Sequence, residues 1–266
     1  MIKNECYYHL ISQPLALIGL AEKGGVNVRL SYDSKPGHSS MPTVPSAVGS
    51  MSKALARLEE QQMPAAIQGV AGDMFAALAP EMPLLNRVLL SNLWLTGPLV
   101  RAQLEKSPAS NAMLRTTTAL TIVNSGNKAN VLPGHAEANI NFRILPGDTV
   151  DGVHQHVKTV IANEAIKTDT VDGREPSPIS PTNASGYKAI GRTVRQLMPD
   201  VLVAPGLVIV GTDSRSFTPL TDSIYRFSPM RFKPEDLSRL HGTNERIAIS
   251  NYVEVIQFHH QLLKNL

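Results

Sequence analysis

A strict alternation of apolar and polar residues in segment 135–144 constrains the fold of this chain more than any other feature. The apolar positions are Ala136, Ala138, Ile140, Phe142 and Ile144. Because successive side chains of a strand point to opposite faces, this pattern predicts a β-strand with one buried face and one polar face. Such a strand is typical of an antiparallel sheet that is covered on one side.

Further strands and two helices are predicted around this strand. The additional strands are expected at 26–32, 116–123 and 166–171. One helix begins near Pro45 and Ser46 and carries the apolar stripe Ala47, Val48, Met51, Ala54, Leu55 and Leu58. The other begins after Asp148 or Thr149, either of which can cap it. We therefore predict an α+β domain, one antiparallel sheet against two helices, at about residues 26–173.

The segment 64–110 interrupts this pattern. It is rich in Met, Leu and Ala, and it contains Pro80, Pro83, Pro98 and Pro108. Because proline ends or kinks helices, we expect short helices that break at these four positions. The segment is interpreted as a helical insert within the α+β domain.

The remaining segments predict part of an α/β sheet. A buried strand is expected at 15–20, a helix at 186–198, an apolar strand at 207–210 and a closing helix at 250–263. These strands are too few for a complete sheet covered on both faces. The fold class is therefore α/β, with a partial sheet domain at 1–25 and 174–266 that is interrupted by the α+β domain at 26–173.

Composition excludes several classes of partner. The chain has 266 residues, is 42% hydrophobic, and carries 25 basic against 22 acidic residues. The basic residues are scattered, so we expect no nucleic-acid surface. The sequence contains no run of about 18 apolar residues, so no membrane span is predicted. The one cysteine, Cys6, cannot form an internal disulfide, and the compartment stays unknown.

Two histidines lie in loops beside small residues that form turns. His38 lies in the run Gly37–Pro42, and His241 lies in the run Leu240–Glu245. A neutral imidazole at position 241 could bind zinc, while Glu245 or a carbonyl orients its other nitrogen. The alternative for both histidines is an exposed side chain at a turn or helix entry. The other histidines, His154, His156, His259 and His260, are weaker candidates because their spacing does not allow them to share a metal.

Several polar residues could bind an anionic or carbonyl group. Arg143 lies on the polar face of its strand and could hold a carboxylate through two parallel hydrogen bonds, or form an ordinary ion pair. Asn130 is most simply a turn residue. The loop 211–215 leaves a strand end, where α/β sheets build sites. There Thr212 could donate to an oxyanion, and Arg215 could instead pair with Asp213.

These motifs, in this order, resemble the co-catalytic zinc amidohydrolase superfamily that includes aminoacylase, acetylornithine deacetylase and Gly-Xaa carboxypeptidase. The chain is most similar to the Gly-Xaa carboxypeptidase and N-acyl-amino-acid hydrolase branch. The matching stretches cover almost the whole chain and are 21–24, 37–42, 130–133, 141–147, 211–215, 224–227 and 241–245.

The resemblance implies a zinc-dependent hydrolase of N-acyl amino acids or short peptides with a free carboxylate. The α+β domain would be a lid that also forms a homodimer, and the α/β part would be catalytic. His38 would reach into the partner subunit's cleft and polarise the scissile carbonyl. His241 would be the last ligand of a site for two zinc ions.

The resemblance also implies roles for the anion-binding candidates. Asn130 and Arg143 would bind the carboxylate end of the substrate. Gly211 and Thr212 would line the oxyanion side, and Arg215 would contact the substrate near them.

The chain departs from the family in one respect. The family's His-x-Asp pair, bridging aspartate, Glu-Glu pair and further carboxylate ligand have no match in these 266 residues. We therefore expect a C-terminal part of the enzyme that is inactive by itself, because a two-metal hydrolase needs both ions and a base. The alternative is a non-catalytic module that dimerises or binds an amino acid and retains the carboxylate clamp.

Overall fold

The computed structural model describes residues 13–232, 236, 239–240 and 242–266. The strands are β1 (Leu15–Glu22), β2 (Gly25–Asp33), β3 (Gly37–His38), β4 (Thr117–Ser125), β5 (Val131–Leu132), β6 (His135–Arg143), β7 (Lys167–Arg174) and β8 (Leu202–Val208). The helices are α1 (Ala47–Glu60), α2 (Gly69–Leu78), α3 (Leu84–Ser91), α4 (Leu93–Leu104), α5 (Pro108–Leu114), α6 (Val150–Ile161), α7 (Ser185–Leu197) and α8 (Ile249–Asn265). Short 3₁₀ turns span Ala79–Glu81 and Asp213–Phe217.

The described residues form two compact units. The unit for which the resemblance implies a lid, called the lid unit below, contains 23–65 and 115–176, and the α/β unit contains 13–22, 66–114 and 177–266. The mixed α/β fold class expected from the sequence is confirmed.

The lid unit is an antiparallel sheet in the order β4-β6-β2-β7. The five alternate residues of the 135–144 segment are all fully buried, as predicted. They form one core with the apolar stripes of α1 and α6, which cover the same face of the sheet. Thus the period of two in β6 decides which face of the sheet the helices cover.

Both lid helices begin at the predicted caps. The Ser46 hydroxyl accepts a hydrogen bond from the Gly49 amide, and the Thr149 hydroxyl accepts one from the Gly152 amide. Each bond satisfies an amide that has no partner within the helix. The predicted stripe of α1 needs one correction, because Val48 lies in its first turn and is exposed.

The α/β unit is built on a parallel pair of strands, β1 and β8. The predicted strand at 207–210 is wrong in its bounds, because β8 begins at Leu202 and ends at Val208. Pro205 and Gly206 lie inside β8 opposite Ile18 and Gly19. Proline is tolerated in a strand where its missing N–H faces away from the paired strand.

Helices α7 and α8 bury one side of this strand pair. The shared core contains Ala16, Ile18, Ile190, Val194 and Phe258. On its other edge, β1 meets Arg226 through a short antiparallel bridge, in which the amides of Gly19 and Arg226 each donate to the other's carbonyl at 2.9 and 3.0 Å.

The helical insert belongs to the α/β unit rather than to the lid, where the sequence interpretation placed it. Val70 of α2 packs against Leu20 and Ala21 of β1, which explains the grouping. The expected break at Pro98 is also wrong, because α4 continues through this residue. A proline removes one backbone hydrogen bond, and the neighbouring bonds can still carry the helix past it. Among the described residues, no helix is both long and apolar enough to cross a bilayer.

Candidate functional site

A buried carboxylate, that of Glu22, lies at the carboxyl end of β1. The residue is completely inaccessible to solvent. Its Oε2 atom accepts hydrogen bonds from the amide and the hydroxyl of Thr212, at 2.7 and 2.8 Å. Burial of an unpaired carboxylate is costly, so Glu22 requires these hydrogen bonds. The same bonds connect the loop after β8 to the end of β1.

Two guanidinium groups face the same carboxylate. Arg215 Nε lies 2.9 Å from Glu22 Oε1, and Arg226 Nε lies 3.7 Å from Oε2. Burial lowers the pKa of Arg226 from its ordinary value, and the Glu22 carboxylate opposes that shift. Two positive charges and one negative charge give this cluster a net positive charge, which favours an anion nearby.

Ser214 links the second arginine to Thr212. Arg226 Nε donates to Ser214 Oγ at 2.7 Å, and Ser214 Oγ lies 2.7 Å from Thr212 Oγ1. Because the Thr212 hydroxyl has a single proton and uses it for Glu22, Ser214 is the donor to Thr212. The order of donation is therefore Arg226, Ser214, Thr212, Glu22.

This network places the candidates of the 211–215 loop. Both donors of Thr212 are directed to Glu22, Arg215 is paired with Glu22, and Gly211 is exposed at the start of the loop. The oxyanion role of Gly211 and Thr212 and the substrate role of Arg215 stay predictions.

In the lid unit, the structure brings His38 and Asn130 together. Strand β3 pairs with β5 so that His38 lies opposite Val131, and the Ser39 amide donates to the Asn130 carbonyl at 3.1 Å. The Ser40 amide donates to His38 Nδ1 at 3.2 Å. Nδ1 is therefore an acceptor, and the proton of the neutral ring lies on Nε2, which is suited to donate to a carbonyl oxygen.

Arg143 lies at the opposite end of the sheet from this pair. His135 begins β6 and Arg143 ends it, which separates them by about 26 Å at the rise of a strand. The Ser34 amide donates to the Gly134 carbonyl just beyond the His135 end of the sheet, and His38 follows four residues later. The β3–β5 ladder therefore lies beyond that end of the sheet. Within one copy, Arg143 and the pair His38 and Asn130 cannot contact the same small substrate.

A buried lysine lies at the Arg143 end of the sheet. Lys23 is 2% exposed, and its Nζ donates to the Arg115 carbonyl at 2.8 Å. Burial lowers its pKa to about 8, although the Asp148 carboxylate opposes the shift. The positive charge of Arg143 lowers the pKa of Lys23 further, because like charges repel each other.

The remaining metal candidate, His241, lies outside the described residues. The described part of the chain brings together no three His, Cys, Asp or Glu side chains that could hold a metal ion. The described residues therefore provide no metal site by themselves, and no catalytic step through a metal is assigned to them.

The sequence reading missed the buried network around Glu22. It assigned no role to Glu22, Ser214 or Arg226, although 21–24, 211–215 and 224–227 are among the stretches that carry the resemblance. The available signal was a glutamate directly after seven apolar or small residues that form a buried strand. Charged residues are almost never fully buried unless they are paired, so a partner could have been expected.

Comparisons with known proteins agree with this architecture. The family model of the M20 peptidase dimerisation domain matches residues 20–169. An N-fatty-acyl-amino acid synthase/hydrolase of Danio rerio is 43% identical over 96% of this chain and 50% of that protein. The Dictyostelium discoideum protein named probable carboxypeptidase S-like 2 is 41% identical over 96% of this chain and 49% of that protein. The chain thus spans about half the length of these relatives.

A solved structure shows the same fold. The M20 family metallo-carboxypeptidase of Sulfolobus solfataricus aligns with a TM-score of 0.63 and 19% identity, over 94% of this chain and 60% of that one. The matched residues include strands β2, β4 and β6 of the sheet and the segments that contain His38 and Asn130. This chain therefore belongs to the M20 peptidases, a family of hydrolases that carry this dimerisation domain.

Proposed function

We propose that this chain is the C-terminal part of an amidohydrolase that cleaves the amide bond of N-acyl amino acids or short peptides with a free carboxylate. The observation that carries the proposal is the 43% identity, over 96% of the chain, to an N-fatty-acyl-amino acid synthase/hydrolase. The 266 residues by themselves are proposed to be inactive, and the activity belongs to a longer protein.

The geometry of the lid supports a binding site built from two copies of the chain. Arg143 holds the substrate carboxylate of one subunit through its planar guanidinium. The partner subunit provides His38 and Asn130, because about 26 Å separates the two ends of β6 within one copy. His38 donates from Nε2 to the scissile carbonyl, and Asn130 contacts the substrate beside it.

Strand β4 is the proposed dimer edge. Both outer strands of the sheet are largely exposed, but they differ in charge. Strand β7 carries Lys167, Asp169, Asp172 and Arg174, whereas β4 has no charged residue and exposes Ile122 and Val123. Charges on an edge strand discourage pairing, so the uncharged edge is the one open to a second copy.

The proposed cofactor is zinc, and His241 is the one ligand that this chain is proposed to provide. Gly211, Thr212 and Arg215 are proposed to lie beside the scissile amide, with Thr212 kept in place by Glu22. Support for metal dependence comes from the description of the Sulfolobus solfataricus protein as a metallo-carboxypeptidase.

Co-expression with the N-terminal half of the Danio rerio relative tests the proposal. The co-expressed protein is expected to hydrolyse a panel of N-acyl amino acids when zinc is added. The same protein with Arg143→Ala is expected to lose this activity. Substrate binding without turnover in the assembled protein would instead support the non-catalytic module.

Mixed dimers test the two-copy site. Subunits with His38→Ala and subunits with Arg143→Ala are each expected to be inactive. When they are mixed, about a quarter to a half of the activity should return, because one of the two sites in a heterodimer keeps both residues. No recovery in verified heterodimers would exclude a site shared between subunits.

A further inference from the structure

Strand pairing places two arginines on either side of a glycine at one end of the sheet in the lid unit. Gly25 of β2 lies opposite Arg174 of β7. One residue earlier in β2, Gly24 and Ile144 exchange backbone hydrogen bonds at 2.9 and 3.0 Å, so Arg143 of β6 lies opposite Gly25 on its other side. Directly opposed residues share a face of the sheet, here the face that α1 and α6 leave open. Two guanidinium groups therefore flank a position without a side chain.

The side chain of Arg143 already extends over this glycine. Its Nη1 atom lies 3.7 Å from the place where a Cβ atom on Gly25 would stand. The Cα atoms of Arg143 and Arg174 are two strand spacings, or about 10 Å, apart, so Arg143 covers about half of this separation. The remaining half is shorter than an arginine side chain. An anion above Gly25 can therefore contact both guanidinium groups.

Both arginine side chains are exposed, and neither forms a hydrogen bond or an ion pair with another residue in the described part of the chain. The carboxylates nearest to them along β7 have other partners. Asp172 accepts from the side-chain amide of Asn27 at 2.9 and 3.1 Å, and Glu175 accepts from the Val150 amide at 3.1 and 3.2 Å. The donors of the two guanidinium groups are thus available to a ligand.

A third cation, the buried Lys23, acts on the same place. Burial lowers the pKa of this lysine, the Asp148 carboxylate opposes the shift, and Arg143 lowers the pKa further. The Asp148 carboxylate also accepts a hydrogen bond from the Thr116 hydroxyl. Because buried charges are screened much less than exposed ones, the positive charge of Lys23 favours an anion beside Arg143.

We propose that Arg143 and Arg174 form a two-armed clamp that holds one substrate carboxylate above Gly25. A carboxylate has about four acceptor positions, which is enough for two parallel bonds from one guanidinium and a further bond from the other. The inference deepens the proposed function, because it rests on the substrate carboxylate assigned there to Arg143. It adds Arg174 as a residue that determines specificity for a free acid over the corresponding amide.

The arginine side-chain signals of the 266-residue chain test the clamp without turnover. Proton–nitrogen NMR spectra record the Nε–H resonances, which Arg143→Lys and Arg174→Lys assign. The chain is titrated with N-acetylphenylalanine or with its uncharged amide. The resonances of both arginines are expected to shift with the acid, and neither with the amide. A shift of the Arg143 signal alone, of neither signal, or of both signals equally with acid and amide would overturn the proposal.

A matched pair of arginine variants tests the clamp in the co-expressed protein. Arg174→Gln is expected to raise KM for N-acyl amino acids at least about tenfold and to change kcat less than about twofold, since the carboxylate is held equally before and during amide cleavage. Arg29→Gln removes an exposed arginine of β2 on the same face, about 13 Å from Gly25, and should change KM less than about twofold. Equal increases in the two variants would reduce the effect to general charge and contradict the clamp.

Two substitutions of Gly25 test where the anion lies. Gly25→Val fills the space between the guanidinium groups and should raise KM at least about tenfold, because charge-assisted hydrogen bonds to the carboxylate are lost. Gly25→Ala places a methyl group 3.7 Å from Arg143 Nη1, an ordinary contact distance, and should raise KM less than about threefold. An unchanged KM in the valine variant would show that the carboxylate does not lie above Gly25.

The clamp and the proposed function can fail separately. Absence of hydrolysis in the co-expressed protein would refute the proposed function, whereas the spectral shifts of the 266-residue chain do not depend on turnover. A shift of the Arg174 signal when the N-terminal half is added without ligand would overturn the clamp, because a carboxylate of that half would then be the partner of Arg174.

Discussion

Glu22 and Thr212 are 190 residues apart in the chain, and two hydrogen bonds join them at one carboxylate oxygen. The first residue ends β1, and the second begins the loop after β8, which is parallel to β1. Loops at the carboxyl ends of parallel strands carry the sites of α/β proteins. The buried carboxylate thus fixes the loop in which the sequence reading placed Gly211, Thr212 and Arg215.

Glu22→Gln should destabilise the α/β unit by about 3 kcal/mol. The amide can still accept hydrogen bonds, but it leaves the guanidinium groups of Arg215 and Arg226 without a buried countercharge. Urea unfolding measures the change, and Glu164→Gln at an exposed position is the matched control. A difference between the two variants below about 0.5 kcal/mol would show that the buried charge is not needed.

Thr212→Val should cost about 1–2 kcal/mol, because the hydroxyl that donates to Glu22 is lost while the backbone amide bond stays. Thr212→Ser keeps the hydroxyl and should recover at least half of that loss. The measurement is again the free energy of unfolding in urea. Equal losses in the two variants would point to the threonine methyl group instead of the hydrogen bond.

Lys23 should make the stability of the chain rise with pH. Its pKa is lowered to about 8 in the folded chain from 10.5, so between these values the unfolded chain binds more protons. The cost of burying the charge is complete below about pH 8 and is relieved as pH rises toward 10.5. Stability relative to Lys23→Met is expected to increase by about 1 kcal/mol per pH unit in this range.

The comparison with Lys23→Met removes the contribution of every other titrating group. Urea unfolding of both proteins at pH 7.5 and 9.5 measures the effect. A stability difference that is the same at the two pH values would refute the lowered pKa.

Ile122→Lys should shift the chain toward the monomer if β4 is the dimer edge. The residue is exposed in the middle of that strand, and a lysine there would place like charges opposite each other across a symmetric strand pair. Sedimentation velocity measures the oligomeric state, with Val171→Lys on β7 as the control. Dissociation by the Val171 variant alone would assign the interface to β7.

Local patterns predicted the lid closely. The alternation in β6, the apolar stripe of α1, and the caps Ser46 and Thr149 were read from neighbouring residues. Those features depend on the period of a strand or helix, which a short segment specifies by itself. Strand β8 was placed too far along the chain, since its first residues, with Pro205 and Gly206 among them, are specified by their pairing with β1.

The sequence by itself determined the fold class, the family resemblance, and the candidates His38, Asn130, Arg143 and Thr212, because each depends on residue types in local order. Only the tertiary structure decided that Glu22 is the partner of Thr212 and Arg215, and that Arg143 lies about 26 Å from the His38 end of its sheet. Contacts between residues distant in sequence follow from strand pairing and burial, and a single sequence does not display them. For that reason the sequence could suggest chemical roles for individual residues, while the residues that they contact could be identified only from the structure.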